Sequence, residues 1–565
     1  MQTETESIWY EQYPEEIPLE ISYEKKPLPA FLKESASHYA DHHAMSFFGK
    51  QWSYQQLLTE ASSFANQLIK LGIEKGDRVA IMLPNTPQSV ISYYGVLMAG
   101  AIVVQTNPLY VERELNHQLI DSGAKAIVCL DMFYPRVMKA MENTSLEHVI
   151  VTGIKDALAF PKNILYPLTQ RKNNEMKIHV NYNEATHQFH KLIEDGESAV
   201  PEVDIDPESD LALLQYTGGT TGPAKGVMLT HYNLVANTTQ CLRWMYKMKQ
   251  GKEKTLAVLP FFHVYGMTVS MNLSIMHAAE LVILPKFDPE EVLKTIEKQK
   301  ITLFPGAPTM YIGLLNNEKI HDFDLSSIEA CISGSAPLPR EVQQQFEEVT
   351  GGKLVEGYGL TEASPVTHCN LIWEQRKEGS IGLPWPDTEA AILTQNGKFA
   401  PKKEIGEIAV RGPQIMKGYW NRAEETSAAF KDNWLLTGDM GYMDEEGYFY
   451  IADRKKDMII AGGFNIYPRE IEEVLYEHET IQEAVVIGVP DPYCGETIKA
   501  FIVKKEGAEI NEKQLDDYCR SQLASFKVPR LYEFRNQLPK TNVGKILKRV
   551  LIEEEKENRT SGHPS

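Results

Sequence analysis

Cysteine is scarce in this sequence, and it lacks a long apolar run that is not interrupted by proline or polar residues. The 565 residues include six cysteines, none in a Cys-x-x-Cys pair, which excludes the common zinc-site and disulfide-framework patterns and favours a reducing compartment. The longest stretch without an acidic or basic residue, Val79 to Val111, is divided by Pro84, Pro87 and Pro108. Such short apolar pieces are typical of a buried core and not of a membrane span.

Basic residues are also in deficit. The chain has 57 Lys and Arg against 77 Asp and Glu, a formal net charge of −20. Non-specific nucleic-acid binding needs a cationic surface and is excluded, although local basic patches for phosphate groups are not. Residues 2–6 (QTETE) are acidic and polar and lack the order of a signal peptide. We therefore expect a cytoplasmic protein with no nucleic-acid partner.

Apolar runs of strand length alternate with helical patterns along most of the chain. The runs at 78–83, 125–130, 255–259 and 280–284 are separated by segments such as Pro289 to Gln299, whose apolar residues follow a helical spacing. This alternation predicts an α/β fold with largely buried sheets.

The character of the sequence changes at a dense charge run, residues 453–457 (DRKKD). Beyond it, Pro468 opens an amphipathic helical pattern, and strand candidates follow at 484–489 and 500–503. We expect four parts: a large N-terminal domain of layered sheets and helices (1–454), a hinge (455–457), a smaller mobile C-terminal α+β domain (458–552) and a disordered tail (553–565).

The strongest local motif is the segment 216–226 (YTGGTTGPAKG), which follows a strand-like run at 211–214. Glycines let backbone N–H groups approach phosphate oxygens, threonine hydroxyls add donors, and Lys225 adds a cation. A Walker A loop is excluded, because Ala224 precedes the lysine and Gly226 follows it. A plain surface loop would not need this joint enrichment, so the motif favours phosphate binding.

A second segment, 356–362 (EGYGLTE), could serve the same ligand. Its tyrosine can offer a flat face to a base, Thr361 can bond a phosphate, and Glu362 can hold Mg²⁺ through oxygen. A tight turn around a buried tyrosine is an equally good interpretation of this segment alone.

Two further segments carry weaker signals. In 434–439 (WLLTGD), Asp439 could accept ribose hydroxyls at the end of a strand, although a turn aspartate is common. In 539–545 (PKTNVGK), Lys545 follows a glycine, and a solvated lysine is the ordinary alternative.

Together, in this order and at these intervals, the four segments resemble the adenylate-forming (acyl-activating) enzyme superfamily from about residue 30 to residue 552. Within it the chain is most similar to bacterial long-chain fatty acid–CoA ligases, as the segments 259–266 and 304–308 and the charge run indicate. The sequence departs from the family pattern at one position. Many members have proline immediately before the loop lysine, whereas here Pro223 comes one place earlier, so the residue with a fixed φ is shifted by one position in the loop.

The resemblance implies a role for each motif residue. The β- and γ-phosphates of ATP are held by Thr217, Gly218, Gly219, Thr220, Thr221, Gly222 and Lys225. The adenine is walled by Gly334, Ser335, Ala336, Glu356, Gly357 and Tyr358. Thr361 contacts the α-phosphate, Glu362 coordinates Mg²⁺, and Asp439 and Arg454 hold the ribose.

Further implied roles concern the acyl group and CoA. Lys456 is the hinge residue, and Lys545 reaches the acyl carboxylate and the α-phosphate. Gly462 and Gly463 lie where CoA pantetheine passes. His263 shapes the acyl carboxyl site or the thiol path, or only packs against the pocket.

The implied reaction is ATP-dependent activation of a long-chain fatty acid to acyl-AMP, with release of pyrophosphate, followed by transfer to CoA. The alternatives are a ligase for aromatic or medium-chain acids, an amino-acid adenylation domain and, more distantly, a non-catalytic nucleotide-binding protein. An amino-acid domain usually carries an acidic residue near the position of His263. Residues 160–172 combine apolar and basic side chains, which an interfacial segment needs, although an ordinary surface loop is the favoured interpretation. Peripheral contact with the inner face of the membrane is therefore one hypothesis. A homodimer is a separate hypothesis.

Overall fold

The computed structural model describes residues 8–164, 178–217, 224–394, 396–461, 464–491, 495–540 and 546–560. The chain divides into two compact units. The large unit contains Tyr10–Glu389 and Arg411–Asn433. The small unit contains Ile8, Trp9 and the described residues of Ala390–Val410 and from Trp434 onward.

An eight-stranded sheet forms one layer of the large unit. Six neighbouring strands pair in parallel, and the two at one edge pair antiparallel. In spatial order the strands are Gly418–Tyr419, Lys225–Thr230, Leu211–Thr217, Ile102–Gln105, Arg78–Met82, Ala126–Leu130, His148–Thr152 and Thr186–Gln188. The central strands are buried along almost their whole length, as their continuous apolar runs predict.

A second layer of the large unit is built from two four-stranded sheets. Leu303 connects them, because it forms parallel bridges to Thr255 and Ala330. The first sheet contains Lys254–Ala257, Glu280–Ile283, His43–Phe47 and Lys50–Ser53, and the second Ala330–Ser333, Lys353–Gly359, Val366–Cys369 and Leu383–Pro384. Phe304, Tyr311 and Phe346 are fully buried in the core of this layer.

Four helices of the large unit begin after a side chain that caps their first turn. Ser53, Thr86 and Thr230 accept backbone N–H groups as N-caps, and Asp288 does so before Pro289 at the first helical position. The α-helices are Pro29–His38, Tyr54–Lys70, Pro87–Met98, Glu112–Ser122, Tyr134–Met141, Phe189–Glu194, His231–Trp244, Leu273–Met276, Pro289–Gln299, Pro308–Leu315, Arg340–Thr350 and Ala423–Ala429. Shorter elements are the π-helix Gly266–Asn272, the strand Phe430–Lys431 and 3₁₀ turns at Ile8–Gln12, Asp131–Phe133, Ile154–Ala157, Ile320–Asp322 and Thr361–Ala363.

The small unit contains strands of two sheets. One is antiparallel and includes Glu389–Leu393, Gly406–Arg411, Trp434–Met443 and Phe449–Arg454. The other contains Phe464–Ile466, Ile459–Ala461, Gly495–Lys504, Ile481–Asp491 and Leu531–Arg535, with the helices Pro468–Tyr476, Glu512–Gln522 and Lys548–Thr560. The apolar face of Pro468–Tyr476, with Ile471 and Leu475, is buried in the core of that sheet.

The predicted α/β class and the predicted helix Pro289–Gln299 are confirmed. The contacts divide the chain elsewhere than at residue 454, because Ala390–Val410 and the strands from Trp434 belong to the same unit as the C-terminal segment. A hinge at 455–457 stays a prediction. The expected disordered tail is wrong for residues 553–560, since the last helix runs to Thr560.

No helix in the described ranges is both long and apolar enough to span a membrane. Five of the six cysteines lie in those ranges, and all five are buried thiols without a disulfide.

Candidate active site

The two ends of the threonine and glycine loop are brought together by one antiparallel strand pair. Thr217 is the last residue of Leu211–Thr217, Lys225 is the first of Lys225–Thr230, and the two residues pair directly. Residues 218–223, which include Gly218, Gly219, Thr220, Thr221 and Gly222, lie outside the described residues. The pairing places Thr217 and Lys225 side by side at the end of this strand pair.

Asp121 anchors the base of this loop. Its carboxylate accepts the hydroxyl of Tyr216 at 2.7 Å and pairs with Arg422 at 2.7 Å, while its carbonyl accepts the indole N–H of Trp420 at 3.1 Å. Burial, with the Asp121 charge, raises the pKa of Tyr216, so the phenol remains a donor. Sequence reasoning missed Asp121, because nothing near it along the chain indicates its partners.

The segment 356–362 leaves its strand through a close backbone crossing. A Cβ at Gly359 would lie 2.0 Å from the carbonyl oxygen of Pro365, so no larger residue fits there. The 3₁₀ turn Thr361–Ala363 follows and places Thr361 and Glu362 beyond the strand end. The motif is therefore a strand followed by a constrained turn.

The two segments expected to wall the adenine lie on adjacent parallel strands. Ser333 pairs with Glu356, so Gly334-Ser335-Ala336 and Gly357-Tyr358 leave the same edge of the sheet. The Glu356 carboxylate accepts the Leu338 N–H at 3.0 Å, which ties the first segment to the second strand. Both segments lie where one flat ligand could contact them.

Backbone and ring geometry define this edge further. Ser335 is exposed and has a φ of +73°, an uncommon conformation for a non-glycine residue. Tyr358 is half-buried, and its ring packs edge-on against His368 at a centroid distance of 5.8 Å. Burial lowers the pKa of His368 to about 3, so this histidine is neutral.

Glu362 and Lys225, which come from different motifs, meet at one tyrosine that sequence reasoning missed. The Tyr419 hydroxyl donates to Oε1 of Glu362 at 2.8 Å, and Lys225 Nζ lies 5.1 Å from the centre of the Tyr419 ring. Tyr419 is placed there by pairing with Val227 at the edge of the eight-stranded sheet. The dipeptide Gly418-Tyr419 carries no chemical signal of its own, so only tertiary structure could reveal it.

His263 lies in a segment clamped by two buried amides. Asn85 accepts the Phe261 N–H at 2.8 Å and donates to the Leu259 carbonyl at 2.8 Å, and Gln215 donates to the Phe262 carbonyl at 3.0 Å. His263 is half-buried, and desolvation lowers its pKa to about 4, so its imidazole is neutral near pH 7. It can donate or accept a hydrogen bond but brings no charge.

The His263 segment is tied to the turn that bears Glu362. The π-helix Gly266–Asn272 begins just after His263, and its Thr268 hydroxyl donates to the Ser364 carbonyl at 2.8 Å. Because π-helical turns are frequent at functional sites, this element is a second feature that only the structure supplied.

In the small unit, Asp439 and Arg454 are opposite each other on paired strands. Nε of Arg454 lies 2.7 Å from Oδ1 of Asp439, and the aspartate is buried while the arginine is partly exposed. Asp439 was expected at a strand end, but it lies within Trp434–Met443, next to a register shift after Met440. Their ribose-binding role stays a prediction.

Of the other site residues predicted in the small unit, the structure describes only Lys456. Lys456 is exposed, and partial desolvation lowers its pKa. Gly462, Gly463 and Lys545 lie outside the described residues. Their roles therefore rest on the sequence motif alone.

Comparison with known proteins settles the family. The model of the AMP-binding enzyme family matches residues 32–420, and that of the AMP-binding enzyme C-terminal domain matches residues 470–545. The chain belongs to the AMP-binding enzymes. The superfamily predicted from the four motifs is thereby confirmed.

Relatives of this AMP-binding enzyme match it along nearly its whole length. A long-chain-fatty-acid–CoA ligase of Bacillus subtilis (strain 168) is 57% identical over 559 residues, which cover 98% of this chain and 99% of the relative. A ligase of the same name from Escherichia coli O6:H1 is 40% identical, with 97% and 98% covered. ATP-bound MatB from Rhodopseudomonas palustris has a similar structure, with a TM-score of 0.83, 30% identity, and 94% and 99% of the two chains covered.

Proposed function

We propose that this AMP-binding enzyme is a long-chain fatty acid–CoA ligase that works through an acyl-adenylate. The observation that carries the proposal is the 57% identity to the Bacillus subtilis ligase over nearly the full length of both chains. The substrates are a long-chain fatty acid, ATP and CoA, and the products are acyl-CoA, AMP and pyrophosphate.

The first half-reaction joins two anions and therefore needs cations. A fatty carboxylate oxygen attacks the α-phosphorus of ATP, and pyrophosphate leaves. Lys225 is suited to the β- and γ-phosphates, because it begins a strand at the mouth of the loop and forms no ion pair with any described residue. Lys545 is assigned to the acyl carboxylate and the α-phosphate by its motif.

The chemistry of Glu362 fits Mg²⁺. No group of three or more potential metal ligands exists in the described ranges, so a protein-only cage is not present there. Mg²⁺ in nucleotide sites is usually held by one or two carboxylates together with phosphate oxygens and water, which a single glutamate satisfies. When bound, Mg²⁺ neutralises part of the triphosphate charge. Glu362 supplies its carboxylate from a constrained turn.

The second half-reaction needs no protein nucleophile. The thiol of CoA attacks the acyl carbonyl, and AMP is a good leaving group. The neutral imidazole of His263 can form part of the wall around the acyl carbonyl, because without a charge it does not attract the anionic carboxylate. We assign Gly462 and Gly463 to the CoA path and Lys456 to the hinge between the two reaction states.

We further propose a cytoplasmic location with peripheral contact to the membrane. Phe160 and Ile164 are 78% and 61% exposed, and Lys162 is in the same segment, as an interfacial contact requires. Residues 165–172, the rest of this predicted segment, lie outside the described residues. Vesicle co-sedimentation of wild type and of a Phe160→Ser, Ile164→Ser variant tests the contact, and light scattering tests the homodimer.

The substrate assignment predicts a steep dependence on chain length. Each methylene buried in an acyl pocket contributes about 0.8 kcal/mol, which raises kcat/KM by up to about fourfold per CH₂. AMP release in the presence of CoA should be measured for acids from acetate to oleate, and for coumarate. Palmitate or oleate should be preferred, whereas preference for acetate would refute the assignment and preference for coumarate would make this an aromatic-acid ligase.

A further inference from the structure

We propose that Tyr419 is a positioning residue of the nucleotide site, which aligns the carboxylate of Glu362 and the ammonium of Lys225 for the metal-bound triphosphate. This inference rests on the proposed roles of Glu362 and Lys225. It adds a residue that none of the sequence motifs contains.

The hydroxyl of Tyr419 fixes one oxygen of the Glu362 carboxylate. The phenol donates to Oε1 at 2.8 Å, and Oε2 accepts no hydrogen bond from the part of the chain that the structure describes. A carboxylate has acceptor capacity on both oxygens, so holding one orients the other toward a ligand. Glutamate has a flexible side chain. A hydrogen bond to its carboxylate restricts that side chain before the metal binds, so less conformational entropy is lost on binding.

The ring of Tyr419 holds Lys225 at the same time. Its centre lies 5.1 Å from Nζ, within the range of a cation–π contact. Tyr419 thus contacts a cation with its ring and an anion with its hydroxyl. Lys225 forms no ion pair with Glu362, so the two charges do not neutralise each other, and both remain available to phosphate and metal.

Tyr419 is itself rigidly placed. Gly418–Tyr419 pairs with Met228 and Val227 of the neighbouring strand, and the Tyr419 N–H donates to Oγ1 of Thr426 at 2.9 Å. Its phenol is the donor in the 2.8 Å bond to Glu362, because a carboxylate oxygen only accepts. A fixed strand therefore sets the position of two longer, more flexible side chains.

The chain offers a matched control at another site. Tyr246 donates to Oε1 of Glu374 at 2.9 Å, and Lys247 Nζ lies 5.5 Å from the Tyr246 ring. The same three residue types thus meet away from the motif residues. Tyr246→Phe removes an equivalent hydroxyl and is expected to leave nucleotide binding unchanged.

The test compares binding of a non-reacting ATP analogue, α,β-methylene-ATP, by calorimetry at several Mg²⁺ concentrations. Tyr419→Phe keeps the ring and should weaken binding about tenfold, as expected for one hydrogen bond to a charged group, most strongly at low Mg²⁺. Tyr419→Leu removes both contacts and should weaken it further. KM for the fatty acid and for CoA should stay unchanged, and Tm should stay within about 2 °C.

Glu362→Gln separates this inference from the function on which it rests. If Glu362→Gln leaves the Mg²⁺ dependence of binding unchanged, the proposed metal role of Glu362 is wrong. Suppose instead that Glu362→Gln changes the Mg²⁺ dependence of binding, whereas Tyr419→Phe binds the analogue as tightly as Tyr246→Phe does. The positioning role of Tyr419 is then wrong, and the metal role of Glu362 stands. If Tyr419→Phe weakens the binding of the nucleotide, the fatty acid and CoA alike and lowers Tm, the role of Tyr419 is structural only, which also overturns the inference. In the Glu362→Gln background, Tyr419→Phe should add little, because the two residues act as one unit.

Discussion

Lys225→Met should lower the rate of adenylation strongly while leaving the stability of the fold almost unchanged. The ammonium lies over the Tyr419 ring, and no described residue pairs with it. Its contribution to folding is therefore one cation–π contact, about 0.5–1 kcal/mol. Removing a charge that faces the developing charge of a transition state costs about 2.7–4 kcal/mol, or 10²–10³ in rate. The expected result is a large loss of adenylation in a chain that remains folded.

The assay is fatty-acid-dependent ATP–pyrophosphate exchange, which reports the first half-reaction alone. Lys247→Met is the control, because Lys247 makes cation–π contacts of 5.5 and 5.4 Å with Tyr246 and Trp373. Its exchange rate should equal that of wild type, and both variants should shift Tm by no more than about 2 °C. Wild-type exchange by folded Lys225→Met would show that the loop lysine does not serve the phosphates. An equal loss in Lys247→Met would show that the effect is not specific to the site.

Two further predictions concern protonation and domain motion. Because burial lowers the pKa of His263 to about 4, against about 6.5 in the unfolded chain, its stabilising contribution is present above pH 6.5 and is lost as the pH falls toward 4. His263→Phe should therefore flatten the fall of Tm over this range, and an unchanged slope would contradict the burial argument. Lys545→Ala should abolish ATP–pyrophosphate exchange but still form thioester from pre-made acyl-adenylate and CoA. Lys456→Pro should keep the exchange reaction but lose thioester formation, because proline restricts the backbone rotation of the hinge. If Lys545→Ala slowed both half-reactions equally, the hypothesis that this lysine acts only in adenylation would be wrong, and a general structural role would replace it.

The local structure of the motif segments could be predicted where neighbours along the chain carry the information. Thr361 and Glu362 leave a strand through a turn that requires Gly359, and the sequence of that motif contains both the glycine and the two candidate site residues. Thr217 and Lys225 are likewise only eight positions apart in the sequence and pair directly on neighbouring strands. Their order and spacing were enough to predict the family.

Features that depend on distant strands could not be predicted in this way. The predicted boundary at residue 454 missed the membership of Ala390–Val410 in the small unit, because that membership rests on pairing between Gly406–Arg411 and Trp434–Met443. The helical residues 553–560 were expected to be disordered because they are polar, yet Glu555 pairs with the buried Lys499 at 2.7 Å. Polar composition indicates disorder only when no partner is close in space.

The sequence by itself determined the α/β class and the family and supplied the candidate site residues, because strand-length apolar runs, glycine turns and reactive side chains are local properties of the chain. Tertiary structure alone decided how charges from separate motifs are oriented. Glu362 and Lys225 lie 137 positions apart, and the ring that aligns them belongs to a third segment, at Tyr419. Hydrogen-bond direction and ring contact depend on distances of a few ångströms between strands, which no spacing along the sequence records.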